Sequence, residues 1–328
     1  MVDGASRLRV PLPSFGFGAA QLGNLFRETS DDEAAGAVEA AWAAGIRYYD
    51  TAPHYGLGLS ERRLGAALAG RPREETLVST KVGRRLVPSP DTADRPDDEG
   101  YAVPAAVRRV WDFSADGVRR SLDASLERLG LDRVDIVYLH DPDDHWSAAS
   151  GTGVAALMDL RDEGVVDAIG VGMNQSAMPA EFVRRHDIDL VMLAGRFTLL
   201  DQSALDDLLP LADDRGVRIV AAGVYNSGLL SEARPADGAP YDYKPAPPEL
   251  VERARRLASV CEAHGVDLPT AAIHFPLRHP AVAAVVVGAR TAEQVRLNVE
   301  RLATPVPDEL WAELEWGGLV RSLDGGRR

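Results

Sequence analysis

Short β-branched runs alternate with amphipathic stretches along the chain, and this alternation restricts the fold more than any other feature. The runs predict strands at Phe15–Ala19, Ile46–Asp50, Thr76–Thr80, Val134–His140, Val165–Gly172, Leu190–Leu193, Val217–Ala222 and Ala284–Val287. Between them, Val118, Leu122, Leu126 and Leu129 recur at helical spacing and form one apolar face. Another such face, Ala34, Val38, Ala41 and Trp42, follows Ser30-Asp31-Asp32-Glu33, a capping box. Strand–helix alternation implies parallel strands joined by right-handed crossovers.

Eight such units fit closure into an α/β (β/α)8 TIM barrel better than an open sheet. A doubly wound sheet would announce itself by Gly-x-Gly-x-x-Gly after the first strand. The turn Gly16-Phe17-Gly18-Ala19-Ala20-Gln21 lacks the third glycine and no obvious helix follows it. A chain of 328 residues suits one barrel domain spanning 1–328. Helices near Glu249–His264 and Pro307–Glu315 exceed the basic eight. Residues 82–112 and 223–248 are long, proline-bearing connections after the third and seventh strands, placed as binding loops without regular structure of their own.

Composition narrows the partners. With 36 basic against 50 acidic residues the net charge is −14, which repels phosphate backbones and anionic lipid, so neither nucleic acid nor a membrane surface is expected. The single cysteine, Cys261, lies on an apolar helical side and is expected buried, with no disulfide or thiolate cluster. No basic segment leads into a long apolar run, and no apolar stretch reaches 18 residues, so a soluble, cytoplasmic protein is expected. The seven histidines include no His-x-His pair, which argues against a metal site and a metal-dependent barrel hydrolase. The oligomeric state stays open.

Three strand ends carry ionisable groups. Ile46-Arg47-Tyr48-Tyr49-Asp50 ends in a carboxylate, Thr76-Leu77-Val78-Ser79-Thr80-Lys81 in an ammonium, and Val134-Asp135-Ile136-Val137-Tyr138-Leu139-His140 in an imidazole. Tyr55 sits in the turn after Asp50. At the C-terminal face of a barrel these four converge. They make an acid–base relay: an ammonium beside a phenol favours the phenolate, a carboxylate holds the ammonium, and the imidazole can address the substrate oxygen. Lysine is therefore expected to lower the phenol's pKa. A hydride must come from a cofactor, since no side chain donates one.

These residues resemble the aldo-keto reductases, whose motifs include Asp-x-x-x-x-Tyr, a strand-terminal lysine and Leu-His. Asp50, Tyr55, Lys81 and His140 match them in order. The resemblance implies that Tyr55 is the general acid or base, that Lys81 tunes it, that Asp50 anchors Lys81, and that His140 orients the carbonyl. Three segments, Ala194–Gln202, Tyr225–Leu230 and His274–Pro280, resemble the branch containing D-threo-aldose 1-dehydrogenase, L-fucose dehydrogenase and pyridoxal 4-dehydrogenase. That branch implies oxidation of an aldose at C1 to a lactone, with another aldehyde or a pyridoxal-type ring as the alternative substrate.

The resemblance also implies NADP or NAD as cofactor. Where the family usually ends strand five with Ser-Asn, this chain has Met173-Asn174, leaving Asn174 to hold the carboxamide. Ala194 stands where a glutamine is usual, and Gly223, Val224 or Tyr225 must face the nicotinamide. The run Gly288-Ala289-Arg290-Thr291, with Gln294 and Asn298 beyond it, matches the adenosine-phosphate segment. There Arg290 could pair with a 2′-phosphate and helix-start N–H groups could hold phosphate oxygens. Thr291 with Gln294 equally reads as a capping box, so Gln294 can serve the helix instead. His54 and Trp111 are candidate substrate contacts, against loop exposure and a structural role respectively. The non-enzymatic rival is a cofactor-binding regulatory subunit with little turnover; nothing in the chain marks its partner surface.

Overall fold

The computed structural model describes residues 8–9 and 11–323. Among them, eight parallel strands close into a barrel: β1 Phe15–Gly18, β2 Tyr48–Asp50, β3 Leu77–Val82, β4 Ile136–His140, β5 Ala168–Met173, β6 Leu190–Ala194, β7 Arg218–Ala222 and β8 Val282–Gly288. Each strand pairs with its sequence neighbours, and β1 closes the ring by pairing Phe15 with Val285 and Gly16 with Tyr48. The wall strands are hydrophobic nearly throughout because helices cover the outside and side chains fill the inside.

The crossover helices are α1 Asp31–Ala43, α2 Leu59–Leu68, α3 Ala115–Leu129, α4 Val154–Asp162, α5 Ala177–Arg185 and α6 Leu208–Arg215. After β7 come α7 Pro248–Ala263 and α8 Leu268–Leu277, and after β8 come α9 Ala292–Ala303 and α10 Asp308–Trp316. The helices α7 and α10 are the expected additions. Helix α1 opens with the anticipated capping box: Ser30 accepts from the Glu33 N–H while Glu33 accepts from the Ser30 N–H. Cys261 is fully buried in α7.

Some strands start later than their apolar runs suggest. Val165 and Val166 send their N–H groups back to the Leu160 carbonyl, closing α4, so β5 begins only at Ala168. Before β4, Asp135 turns its carboxylate onto the Val78 N–H at 2.7 Å. Residues 82–112 are not an irregular loop, as expected from their composition. Arg84–Pro88 pairs antiparallel with Val107–Trp111, Arg84 opposite Trp111, in a hairpin that leaves the C-terminal rim. Residues 223–248 carry a 3-10 turn at Asn226–Gly228 and a short pairing of Pro240–Tyr241 with Lys244–Pro245.

Alternation of side chains along a strand sets two layers inside the barrel. Asp50, Lys81 and His140 point inward at the C-terminal ends of β2, β3 and β4. Two residues earlier on the same strands, Tyr48, Ser79 and Tyr138 also point inward and lie directly below. Leu77, Ile136, Ala168, Leu190 and Ala284 fill the space beneath, and Leu8 and Leu12 pack against its lower end.

The loop carrying Tyr55 is fixed from the side by a backbone contact that only glycine permits. A Cβ on Gly23 would lie 2.6 Å from the Tyr55 carbonyl carbon, and one on Gly56 would lie 2.2 Å from the Gly23 oxygen. Gly23→Ala should therefore lower stability by about 1–3 kcal/mol in denaturant unfolding, the usual range for overpacking. Gly36→Ala, in the middle of α1 with nothing within 4 Å of the new Cβ, should leave stability unchanged or raise it by roughly 0.5–1 kcal/mol. Equal responses from the two variants would refute the assigned contact.

Candidate active site

The C-terminal ends of β2, β3 and β4 are in register, Asp50 opposite Ser79 and Lys81 opposite Tyr138, which sets three ionisable side chains around one point. Lys81 is 2% exposed. Its three N–H donors go to Asp50 Oδ2 at 2.7 Å, the Thr51 carbonyl at 3.0 Å and the Tyr55 hydroxyl at 3.0 Å. Because Tyr55 Oη accepts from the ammonium, its own O–H is free to address the cleft. The His140 ring stands 5.8 Å from the Tyr55 ring at 88°, and His54 stands 5.4 Å from His140 at 82°. The structure thus brings Asp50, Tyr55, Lys81, His140 and His54 into one cluster.

Burial governs the proton affinities here. Desolvation holds the Tyr55 phenol well above its ordinary range, and the Asp50 carboxylate adds to that. The Lys81 hydrogen bond favours the phenolate, and burial opposes it. His140 is pushed well below the usual imidazole range by burial, then by the Arg84 and Lys81 cations. His54 is pushed down to about 2 by burial and by Arg84 and Arg109. Both imidazoles are therefore neutral at ordinary pH, and His140 can give one N–H to a substrate oxygen.

The cluster lies in a cavity of about 1070 Å³ that runs from Tyr55 and His140 across the barrel mouth to Arg290, Gln294 and Asn298. One wall comes from the hairpin region, expected as a binding loop, though Arg84, Glu99 and Tyr101 within it were not singled out from the sequence. Arg84 holds Asp141 at 2.7 Å, and Glu99 lies 3.6 Å from Arg84 and 3.5 Å from Arg109. Burial pushes the Asp141 carboxyl up to about 6 despite Arg84. Tyr101 sets its ring edge-on to His54 at 5.2 Å. Across the mouth, Phe26 meets Tyr243 at 5.8 Å, and Arg196 grips Asp242 through two hydrogen bonds of 3.0 and 2.8 Å.

Trp111 lies outside the cavity lining. It stacks on Phe113 at 5.8 Å and packs against His145 at 4.7 Å, with the Arg84 guanidinium over its ring. Its position is that of a brace behind the hairpin wall.

Asn174, Gly288, Arg290, Gln294 and Asn298 line the cavity, whereas Ala289 is buried behind it. Arg290 does not present a free guanidinium: it donates to the Arg27 carbonyl at 3.0 Å, the Leu25 carbonyl at 2.6 Å and the Thr29 hydroxyl. Gln294 accepts the Arg290 N–H at 2.8 Å while its own N–H donates to Thr291, so its side chain serves the start of α9. Asn298 is tied to the Tyr225 hydroxyl at 2.9 Å.

The lining fits an extended dinucleotide. Gln21 Oε1 and Asn226 Oδ1 lack a hydrogen-bond partner among the described residues. The first turn of α9 offers N–H groups at the far end, and the length of the cavity joins that end to the Tyr55 cluster. No group of three or more His, Cys, Asp or Glu suited to a metal ion occurs among the described residues. Nor, among them, is any helix long and apolar enough to cross a membrane.

The chain is similar to known proteins over nearly its whole length. The chain is 49% identical to a D-threo-aldose 1-dehydrogenase of Pseudomonas sp, over 96% of this chain and 97% of that one. It is 39% identical to a pyridoxal 4-dehydrogenase of Microbacterium luteolum, over 96% of each. Among solved structures, the holo form of an aldo-keto reductase from Bacillus halodurans superposes with a TM-score of 0.71 at 26% identity, covering 94% of this chain and 92% of that one. The aldo/keto reductase family model matches residues 14–316. The family match over most of the chain and the barrel shared with that structure make the chain an enzyme of the aldo/keto reductase family.

Proposed function

We propose that this protein oxidises a neutral aldose at C1 to the lactone, with NAD or NADP as hydride acceptor and Tyr55 as general base. The observation that carries the chemistry is the Asp50–Lys81–Tyr55 chain of hydrogen bonds beside His140. The 49% relative's printed activity supports an aldose, and so does the rim. There, Arg84 faces two carboxylates that also line the cavity, Asp141 and Glu99. A wall with no surplus positive charge disfavours phosphorylated or acidic substrates.

Bound at the cavity, the oxidised nicotinamide supplies the hydride acceptor. Asn174, in the cavity wall, would hold the carboxamide, and Gly288, Arg290, Gln294 and Asn298, also in that wall, would frame the adenosine end. In the oxidative direction the C1 hydroxyl gives its proton to Tyr55 Oη as C1 loses hydride, and the carbonyl of the lactone forms. Lys81 donates to Tyr55 Oη throughout, favouring the phenolate that must receive the proton. Neutral His140 donates to the substrate oxygen and fixes its distance from Tyr55.

A pyridoxal-type ring alcohol or aldehyde is the second reading. Tyr55 and Tyr101 both line the cavity and offer aromatic surface to a flat substrate, and the 39% relative is named for such a compound.

Reduction of NAD and NADP, followed across aldoses, pyridoxal-type compounds and simple aldehydes, separates these readings. Turnover is expected to be greatest with a neutral aldose; preference for a pyridoxal-type ring would overturn the aldose reading. Absence of any nicotinamide-linked turnover would favour the regulatory alternative. Tyr55→Phe should lower kcat by at least about a hundredfold, the scale of general acid–base catalysis, while cofactor affinity stays within about threefold. Full activity in that variant would refute the role given to Tyr55. Because Arg290 holds the Leu25 and Arg27 carbonyls, Arg290→Ala should weaken NAD and NADP to a similar degree. A loss confined to NADP would show instead that the guanidinium meets the 2′-phosphate.

A further inference from the structure

Below the catalytic layer the barrel holds a second, wholly buried polar layer. Ser79 Oγ donates to Asp50 Oδ1 at 2.7 Å, Tyr48 OH lies 3.2 Å from Ser79 Oγ, and Tyr138 OH lies 3.4 Å from Tyr48 OH. All three side chains are fully shielded from solvent, at 0% exposure. A barrel interior at this depth is ordinarily filled by branched aliphatic side chains. Three hydroxyl groups there carry a desolvation cost that hydrogen bonding must offset.

Donor counting fixes the direction of the chain. Asp50, ion-paired with Lys81, brings no proton, so Ser79 must donate to it. With its proton committed, Ser79 can only accept from Tyr48, and Tyr48 in turn accepts from Tyr138. Burial keeps both phenols protonated, since desolvation raises Tyr48 and Tyr138 above the usual tyrosine range. The O–H dipoles of Tyr138, Tyr48 and Ser79 therefore all point toward Asp50, and aligned donors polarise one another.

We propose that Ser79, backed by Tyr48 and Tyr138, is a positioning residue for the reaction, holding Asp50 Oδ1 from below so that Oδ2 stays aimed at Lys81. This inference rests on the assignment of Tyr55 as the general base. Asp50 acts on Tyr55 in two opposing ways: it holds the ammonium that favours phenolate, and its own negative charge disfavours it. The Ser79 donor draws part of that charge downward, away from the phenol. Without it, more negative charge faces Lys81 and Tyr55, the phenol holds its proton to higher pH, and the rising limb of the oxidation profile moves up.

The test is the pH dependence of kcat for oxidation in the cofactor-saturated enzyme. Ser79→Ala should shift the rising limb upward by about half to one unit, which is roughly a three- to tenfold loss at a fixed pH on that limb. Tyr48→Phe, which removes one oxygen and leaves Ser79 and Asp50 in place, should shift it the same way by less, and Tyr138→Phe by less again. Ser79→Thr, which retains the hydroxyl, should restore the wild-type profile. A purely structural role predicts lower activity without movement of the limb, and that result overturns the proposal. So does an unchanged profile in both Ser79→Ala and Tyr48→Phe. If Ser79→Ala does not fold, Tyr48→Phe decides alone. Wild-type enzyme with no nicotinamide-linked turnover, or undiminished turnover by Tyr55→Phe, would instead strike the functional reading itself.

Discussion

A buried ammonium is the constraint on which the site depends. Lys81 has almost no contact with solvent, and such a charge is tolerated only where each of its donors finds an acceptor. Asp50, the Thr51 carbonyl and Tyr55 supply the three. Removing the partner of a buried ion typically costs about 3–5 kcal/mol, so the geometry that serves chemistry is also one the fold must keep. The phenol stands between two influences of similar kind: desolvation and nearby carboxylates hold its proton on, while the ammonium favours letting it go.

Rigid and variable parts of the enzyme are divided accordingly. Asp50, Lys81 and His140 sit on strands whose register is fixed on both sides by hydrogen bonding. Tyr55 sits on a loop, yet Gly23 and Gly56 lock that loop to the turn after β1 by backbone contact. The cavity wall beyond the acid–base cluster comes from the hairpin and from the loops after β1 and β7, which supply Arg84, Glu99, Tyr101, Phe26 and Tyr243.

The sequence showed its strands clearly because each β-branched run is buried on both sides, and showed Asp50, Lys81 and His140 because each closes such a run. Other features depend on pairings that a local pattern does not contain. Arg84 meets Trp111 only through the hairpin, whose proline- and aspartate-rich composition hides its strands. Arg290 finds acceptors near the opposite end of the chain, on the Leu25–Thr29 loop, which no local pattern reveals. Tyr48, Ser79 and Tyr138 were within quoted strands, but which face a strand residue takes, and what stands opposite, appears only once the barrel is closed. The lysine beside Tyr55 was visible in the sequence; the burial that opposes it was not.

Whether the ammonium governs the phenol can be measured without turnover. In enzyme carrying 13Cζ-labelled tyrosine, the Tyr55 resonance can be identified by its loss in Tyr55→Phe and followed through an alkaline titration in wild type and in Lys81→Met. The account predicts that Tyr55 begins to ionise at lower pH in the wild type than in Lys81→Met. Coincident titration curves, or earlier ionisation in the variant, would contradict it.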